Sequence, residues 1–308
     1  MSQPRLVAVT GGNGFVGTHF SRHARRHGFR LRQLSRHPAS SFDPADEVRP
    51  FSLDAETYPD DMLQGCDLIV HLAAHIPRDH RNIEEAELCW QRNVRGTLRL
   101  VEAAARAGVD RFVQTVSANA YAPVLDLSPD EDAAMFPKSR AYYLGSKMLQ
   151  EICADELCRR AGISHAVLRI SAVYGVGQIS GLIPRLADDI AHDRPVHLTG
   201  GGGFGADFVY VDDVARSLLL AILERHGGPL NVGSGNRTTL IELATMLVDL
   251  FRRSHDLIRV EGDLEDDPGF PALDIARLLS LGLEPRPLIA GLTEMAVDIQ
   301  NRPSASVL

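Results

Sequence analysis

Between Leu6 and Ile170, short apolar runs rich in β-branched residues alternate with longer stretches whose apolar positions recur at helical spacing. The runs predict buried strands at Leu6–Thr10, Leu31–Leu34, Val48–Leu53, Leu68–Leu72, Phe112–Val116 and Ala166–Ile170. A first helix is predicted from the residues after Gly14 to about His27. Leu88, Val94, Leu98, Val101 and Ala105 define a second, from Ile83 to Ala107, which stops at Gly108. A third runs from Ser139 to Ala161 and stops at Gly162. Strands alternating with helices in this way build a parallel sheet covered on both faces.

After about Tyr174 the alternation lapses. Val209–Val211 and Leu230–Val232 read as two more strands returning to the sheet, and the chain from about Asn236 reads as a smaller helical lobe. The predicted fold class is therefore α/β, a doubly wound parallel sheet with a smaller, mostly helical C-terminal lobe. The expected division places 1–174 and 207–233 in a nucleotide-binding unit and 175–206 and 234–308 in a substrate-binding lobe. Pro303 to Leu308 read as a frayed end.

Composition narrows the function classes. A chain of 308 residues that is 44% hydrophobic and 23% charged is globular, and a net charge of −8 gives no broad basic surface for nucleic acid. The first residues carry too short an apolar run for a signal peptide, and no run spans a bilayer, so a cytoplasmic protein without membrane contact is expected. Cys66, Cys89, Cys153 and Cys158 are scattered and include no CxxC pair, which leaves no zinc site. Of the 32 basic residues only Lys138 and Lys147 are lysines. Any chemistry that needs a lysine has those two to choose from.

Gly11-Gly-Asn-Gly14-Phe-Val-Gly17 sits between the first strand and the first helix. A glycine-rich turn at that place lets the backbone approach a pyrophosphate closely while helix amides point at the anion, the arrangement of a Rossmann sheet. Gly11, Gly14, Phe15, Val16 and Gly17 are thus candidate dinucleotide contacts; without a ligand the same residues make an ordinary tight turn. A carboxylate at the end of the second strand would accept the 2′-hydroxyl of NAD. Leu34-Ser35-Arg36-His37 stand there instead, and residues 1–42 contain no Asp or Glu. Ser35 and Arg36 suit a 2′-phosphate, so NADP(H) is favoured over NAD(H).

Tyr143-Leu-Gly-Ser-Lys147 places a phenol and an ammonium one helical turn apart on one face. Six tyrosines and two lysines produce this spacing by chance roughly 0.04 times in such a chain. A nearby ammonium favours the phenolate and brings tyrosine toward the range of a working base. Ser117, at the end of a predicted strand, offers a hydroxyl to the same substrate oxygen. The plainer alternative is an amphipathic helix with a packed tyrosine and a solvated lysine.

These segments, in this order, resemble the extended short-chain dehydrogenases/reductases, also called NAD-dependent epimerase/dehydratases. The resemblance runs through Asp54, His71-Leu-Ala-Ala74, Asn93-Val-Arg-Gly-Thr97, Ser117 with Tyr121, Leu168-Arg169 with Val173-Tyr-Gly175, Asp207 to Ala215 and Asn231 to Gly235. It implies that Tyr143 is the general acid/base, that Ser117 polarises a carbonyl, and that Lys147 binds the nicotinamide ribose and lowers the tyrosine pKa. It further implies Asp54 against the adenine, Leu72, Ala73 and Ala74 along the cofactor, and Asn93 supporting the cleft or standing as a buried structural amide. A homodimer through the two long helices is the family expectation.

The chain departs from the family pattern at informative places. Family dehydratases carry an Asp-Glu pair after the hydroxyl residue; Ala118-Asn119 stand here, which disfavours dehydration. Ala172 stands where nucleotide-sugar members carry an asparagine, Ala206 replaces the arginine that grips the substrate diphosphate, and Glu265-Asp-Asp267 would repel one. His75 and Asn119 remain candidate substrate contacts. His71 and His75 have a metal pair's spacing but lie at a strand end, so no metal is expected, and Asp212-Asp213 read as a helix start. No GxSxG elbow or GK dipeptide occurs. The expected function is NADP(H)-preferring reduction of a ketone, with a keto-deoxysugar, nucleotide-linked or not, as the substrate class. The alternatives are an NAD-dependent sugar epimerase and a non-catalytic NADP-binding sensor.

Overall fold

The computed structural model describes residues 5–37, 39–122, 127–262 and 268–301. The acidic run Glu265–Asp267 and the end Pro303–Leu308 lie outside the described residues. The chain opens with β1 (Leu6–Thr10), α1 (Phe15–Arg26), β2 (Arg30–Ser35), β3 (Glu47–Pro50) and β4 (Leu68–His71). α2 (Ile83–Leu88) passes through a π-helical segment (Cys89–Gly96) into α3 (Thr97–Ala107). β5 (Arg111–Ser117), α4 (Ala141–Ala161), β6 (Ser164–Ile170) and β7 (Ala172–Tyr174) follow. Then come α5 (Leu182–Ala191), β8 (Val196–Leu198), β9 (Gly205–Tyr210), α6 (Val211–Leu223) and β10 (Gly228–Val232). β11 (Arg237–Thr239), α7 (Leu240–Phe251), β12 (Ile258–Val260), α8 (Ala276–Ser280) and α9 (Leu288–Asn301) complete it.

Seven strands form one parallel sheet in the order β10-β6-β5-β4-β1-β2-β3. The alternation of a strand puts Val7 and Val9 into one core and Leu6 and Ala8 into the other, so both faces are covered. α1 and α6 lie over one face and α3 and α4 over the other. The doubly wound α/β class is thus the observed one. Gly108 and Gly162 end α3 and α4 in left-handed geometry, the reason for the stops at those positions.

Two elements differ from the sequence expectation. β9 does not return to the main sheet; it pairs with β7 and β11 in a separate three-stranded sheet, and Val211 already belongs to α6. Its side chains Ala206, Phe208 and Tyr210 pack into the core of the smaller lobe, against α5, α7 and α9. An apolar run shows that a strand is buried and leaves open which sheet buries it. The second difference is the π segment inside the long helix predicted from Ile83 to Ala107. Cys89, Val94 and Leu100 still fall on a buried face, so apolar spacing alone does not reveal the wider turn.

A few buried polar groups tie distant elements together. Arg169 on β6 donates from Nε to both carboxylate oxygens of Glu151 on α4 at 3.1 Å, and from Nη1 to Tyr121 and the Glu131 carbonyl at 2.7 Å. Tyr121 in turn donates to Asn231 Oδ1 on β10 at 2.8 Å. Asp207 on β9 accepts the N–H groups of Ser234, Gly235 and Leu273 at 2.7 to 3.1 Å, closing the loop after β10 onto the smaller lobe. Breaking one partner of a buried ion pair strands the other charge. Arg169→Met is therefore expected to lower unfolding free energy by about 3–5 kcal/mol, and the double variant Arg169→Met, Glu151→Leu to recover most of that loss. Urea denaturation measures both; a single-variant loss below about 1 kcal/mol contradicts this role of the pair.

Candidate active site

A cleft of about 540 Å³ opens where the strand order reverses, at the C-terminal ends of β1 and β4. Its lining brings together most of the sequence candidates. Gly11, Gly14, Phe15, Val16 and Gly17 come from the turn after β1 and the start of α1, and Leu72, Ala73 and Ala74 from the segment after β4. Ser35, Arg36 and Asp54 come from the β2 and β3 side, and Ser117, Tyr143, Lys147 and His75 complete the lining. Asn93 and Asn119 do not line it.

The turn is shaped by missing side chains. Gly11 has φ +71°, and a Cβ there would stand 2.8 Å from the Ala73 amide nitrogen. A Cβ on Gly17 would stand 2.1 Å from the Gly11 carbonyl oxygen. β1, α1 and the segment after β4 thus approach as closely as bare backbone allows. Gly14 caps α1 with no side chain, so the first-turn N–H groups of α1 have no side-chain acceptor at the cleft. Thr10 fastens the other strand end. Its Oγ1 accepts the N–H groups of Leu72 and Ala73 at 3.2 and 3.1 Å and contacts His71 Nδ1 at 2.7 Å. His71 Nε2 meets Thr97 Oγ1 at 2.9 Å, and the Thr97 hydroxyl donates to the Asn93 carbonyl at 2.7 Å. Thr97 therefore accepts from His71, which fixes the tautomer with the proton on Nε2. Burial, with Lys147 nearby, holds His71 down at about 3, so it stays neutral.

Asn93 works from behind the wall. Its Oδ1 accepts the His75 N–H at 2.7 Å, while Nδ2 donates to the His75 carbonyl at 3.0 Å and to Ser146 Oγ on α4 at 2.9 Å. It ties the segment after β4 to the helix that carries Tyr143 and Lys147. Asn119 sits beside Ser117, whose Oγ accepts the Asn119 N–H at 3.3 Å. Among the described residues the Ser117 hydroxyl hydrogen has no acceptor, which leaves it able to donate elsewhere.

Tyr143 and Lys147 stand one turn apart on α4, as the spacing requires. Their electrostatics differ from the sequence expectation. Burial, then Cys89, pushes the Tyr143 phenol up to about 12, with Arg140 opposing, and burial pushes the Lys147 ammonium down to about 7. The expected lowering of the tyrosine by the lysine is absent: desolvation raises the half-buried Tyr143, and Lys147 is not among the charges that move it. Lys147 Nζ donates to Gln150 Oε1 at 2.6 Å.

Sequence reasoning missed a polar bridge on the cleft wall. Arg92, from the π segment, donates to Asp54 Oδ1 at 2.7 Å and meets His75 Nδ1 at 3.2 Å. His75 Nε2 meets Glu85 at 2.5 Å. The Arg92 hydrogen bond holds the Asp54 carboxyl below its usual range. His75, read from sequence as a substrate contact, is thus already paired on both ring nitrogens. Arg92 and Glu85 carry no motif, and only the helix register brings them here. Ala172 and Ala206 lie on β7 and β9, outside the cleft lining. Asp212 accepts from His19 and Arg22 at 2.7 Å in the first turn of α6, and Asp213 accepts the Arg286 N–H at 2.7 Å.

A glycine turn at the strand reversal, a Tyr-xxx-Lys helix and a serine at the end of β5 are the signature of a dinucleotide-dependent enzyme. The model of the NAD dependent epimerase/dehydratase family matches residues 7–233, and the chain belongs to that family, the extended short-chain dehydrogenases/reductases. It is 28% identical to a dTDP-glucose 4,6-dehydratase of Streptomyces niveus, covering 94% of this chain and 90% of that protein. It is 27% identical to a dTDP-4-dehydro-6-deoxy-D-allose reductase of Streptomyces bikiniensis over 95% of each. The solved complex of MoeE5 with UDP-glucose and NAD superposes with a TM-score of 0.82 at 29% identity, covering 96% of this chain and 98% of that one. Among the described residues no helix is long and apolar enough to cross a membrane.

Burying Lys147 has a measurable consequence. The unfolded chain keeps the lysine proton up to its ordinary pKa of 10.5, whereas the folded chain releases it at about 7. Folding therefore costs least where the amine is neutral, and stability gains from this group as pH rises from about 7 toward 10.5. Relative to Lys147→Met, the native chain is expected to gain about 2 kcal/mol between pH ~7 and ~9 in urea unfolding. A difference independent of pH contradicts the buried, depressed lysine.

Proposed function

We propose that this protein is an oxidoreductase that reduces a ketone on a sugar or related carbonyl compound, nucleotide-linked or not, with NADP(H) as its preferred cofactor. The observation that carries the reading is the convergence of Ser117, Tyr143 and Lys147 on one cleft whose other wall is the glycine turn. The turn fits a pyrophosphate: a Cβ at Gly11 or Gly17 would fill the approach, and the start of α1 lacks a side-chain cap. Bound there, a nicotinamide dinucleotide supplies the hydride that a carbonyl carbon accepts.

The chain's own residues then supply the proton and hold the parts in place. A phenol pushed up to about 12 carries its proton throughout the neutral range, which suits Tyr143 to donate to an oxygen that is gaining charge. Ser117 has a free hydroxyl hydrogen for the same oxygen. Lys147 is the cation for the ribose beside the nicotinamide, and Asn93 keeps α4 in register with the segment after β4. Arg36 is exposed at the end of β2 and donates to no acceptor among the described residues. Beside Ser35 it is the group available to a 2′-phosphate. Asp54, Leu72, Ala73 and Ala74 would hold the rest of the dinucleotide. With Ala118 and Asn119 after Ser117, no acid–base pair is present there for elimination.

A second reading, an NAD-dependent sugar epimerase, is favoured by one finding: a relative of similar fold is solved with NAD and UDP-glucose. The catalytic groups are the same in both readings, and the cofactor separates them. A homodimer is also proposed. Ile83 and Trp90 from the α2–π region and Leu149 and Ile152 from α4 expose 40 to 69% of their surface, an apolar face suited to a second copy.

Tyr143→Phe is expected to cut ketone-dependent NADPH oxidation at least ~1000-fold while leaving the NADPH Kd within about threefold of native. Retained turnover removes Tyr143 from the chemistry. Arg36→Ala is expected to weaken NADPH about tenfold and NADH hardly at all in calorimetric titration. Mass spectrometry of nucleotides released on denaturing the purified protein completes the comparison. Stoichiometric NAD retained through purification overturns the reductase reading in favour of the epimerase.

A further inference from the structure

Lys147 has one protein acceptor among the described residues, and it is neutral. Its Nζ donates to Gln150 Oε1 at 2.6 Å, with the two residues 4% and 1% exposed. A buried ammonium held by an amide depends on which end of that amide faces it. The oxygen stabilises the cation, and the NH₂ repels it.

The orientation is imposed from elsewhere. Gln150 Nε2 donates to Gln114 Oε1 on β5 at 3.0 Å, which forces Gln150 to turn its oxygen toward Lys147. Gln114 Nε2 lies 3.0 Å from His165 Nε2 on β6. That contact is a hydrogen bond only if His165 Nε2 carries no proton. His165 Nδ1 lies 3.0 Å from Asp155 Oδ1, a carboxylate that takes a hydrogen bond and so holds the imidazole proton on Nδ1. The Asp155 side chain is 60% exposed, whereas Gln114 is 0% exposed. A one-directional series of four hydrogen bonds therefore leads from a surface anion to the buried cation. The proposed reaction uses none of Gln150, Gln114, His165 or Asp155.

We propose that Gln150 is the positioning residue of Lys147 and that Asp155, acting through His165 and Gln114, holds its amide oxygen toward the ammonium. The consequence follows from donor and acceptor counting. A second proton on His165 puts an N–H on Nε2, so Gln114 must present its oxygen to it. Gln114 then presents its NH₂ to Gln150, which must answer with its own oxygen and turn its NH₂ to Lys147. The imidazolium at His165 and the ammonium at Lys147 exclude each other. Asp155 and Glu151 of α4 and Arg111 of β5 face His165, and Cys89, His71 and, one turn away on α4, Tyr143 are the titratable groups near Lys147. Burial holds His165 below its ordinary value, which keeps the series in the sense that favours Lys147. The functional weight of this device rests on Lys147 being the cation of the proposed reaction.

The two lysines make a direct test possible. With lysine ¹³C-labelled at Cε, the intact protein gives two Cε signals, and Lys147→Met assigns them. The Lys147 midpoint is expected well below the ordinary lysine value of 10.5. Gln150→Leu is expected to lower it by about one pH unit or more, because a hydrogen bond to a charged group is lost. Gln150→Glu, which restores an acceptor and adds a charge, is expected to raise it above the native value. Asp155→Ala, on the surface, is expected to lower it by about half a unit, and this variant serves if Gln150→Leu does not fold. A Lys147 midpoint unmoved in Asp155→Ala and Gln150→Glu overturns the proposal, since a packing role predicts no change. The titration needs neither substrate nor turnover. A chain that reduces no ketone but shows these shifts loses the reductase reading alone, and one that turns over with unmoved midpoints loses only this proposal.

Discussion

The close approach of backbone to backbone at Gly11 sets the geometry on which the rest of the cleft depends. With φ +71° and the Ala73 amide 2.8 Å from where a side chain would begin, this position joins the end of β1 to the segment after β4 with nothing between them. Gly17 does the same for the first turn of α1 against that turn. Thr10, His71 and Thr97 then lock the two strand ends and the long helix to one another by hydrogen bonds that determine one tautomer. Because the turn is tight, the start of α1 faces the cleft; because the strand ends are locked, Leu72 to Ala74 form a fixed wall. A Cβ at Gly11 would collide with the backbone of Leu72 and Ala73, and one at Gly17 with that of Gly11 and Gly12, so either would open the joint.

The opposite wall answers to a different constraint, the cost of burying charge. Tyr143 and Lys147 are both driven toward their neutral forms by dehydration. A phenol in that state is a proton donor, which suits the reducing direction, and an ammonium in that state needs its acceptor held firmly. Gln150 provides the acceptor without introducing a second charge that would itself need burial. Asn93 provides the mechanical counterpart by joining the π segment, the loop at His75 and α4. Arg169 shows the other solution: the buried cation is paired with a buried charge, Glu151, and its remaining donors are used on Tyr121 and a carbonyl.

Much of this was legible in the sequence for reasons that are local. A period of two or of 3.6 in apolar positions reports burial on one side of an element, and the glycines and the Tyr-xxx-Lys spacing report contacts within one turn or one helix. Arg36 without an acid beside it was equally readable. What escaped was whatever depends on two segments meeting. Arg92 reaches Asp54 across 38 residues, and Gln114, Gln150 and His165 come from three elements that share no motif. The apolar run marks a strand at β9 but not the sheet it joins, because apolarity does not name the partner.

The sequence by itself determined the class of sheet, the glycine turn, the helix that carries the Tyr-xxx-Lys spacing and the family to which the chain belongs. Each is encoded in the spacing of neighbours along one element, where covalent geometry fixes who faces whom. Only the tertiary structure decided the charge state of that helix. It buried Lys147 and desolvated Tyr143 enough to reverse the direction expected for the tyrosine, and it turned His75 from a free side chain into one paired with Arg92 and Glu85. Desolvation is a property of everything packed around a group, and no spacing in the chain records it.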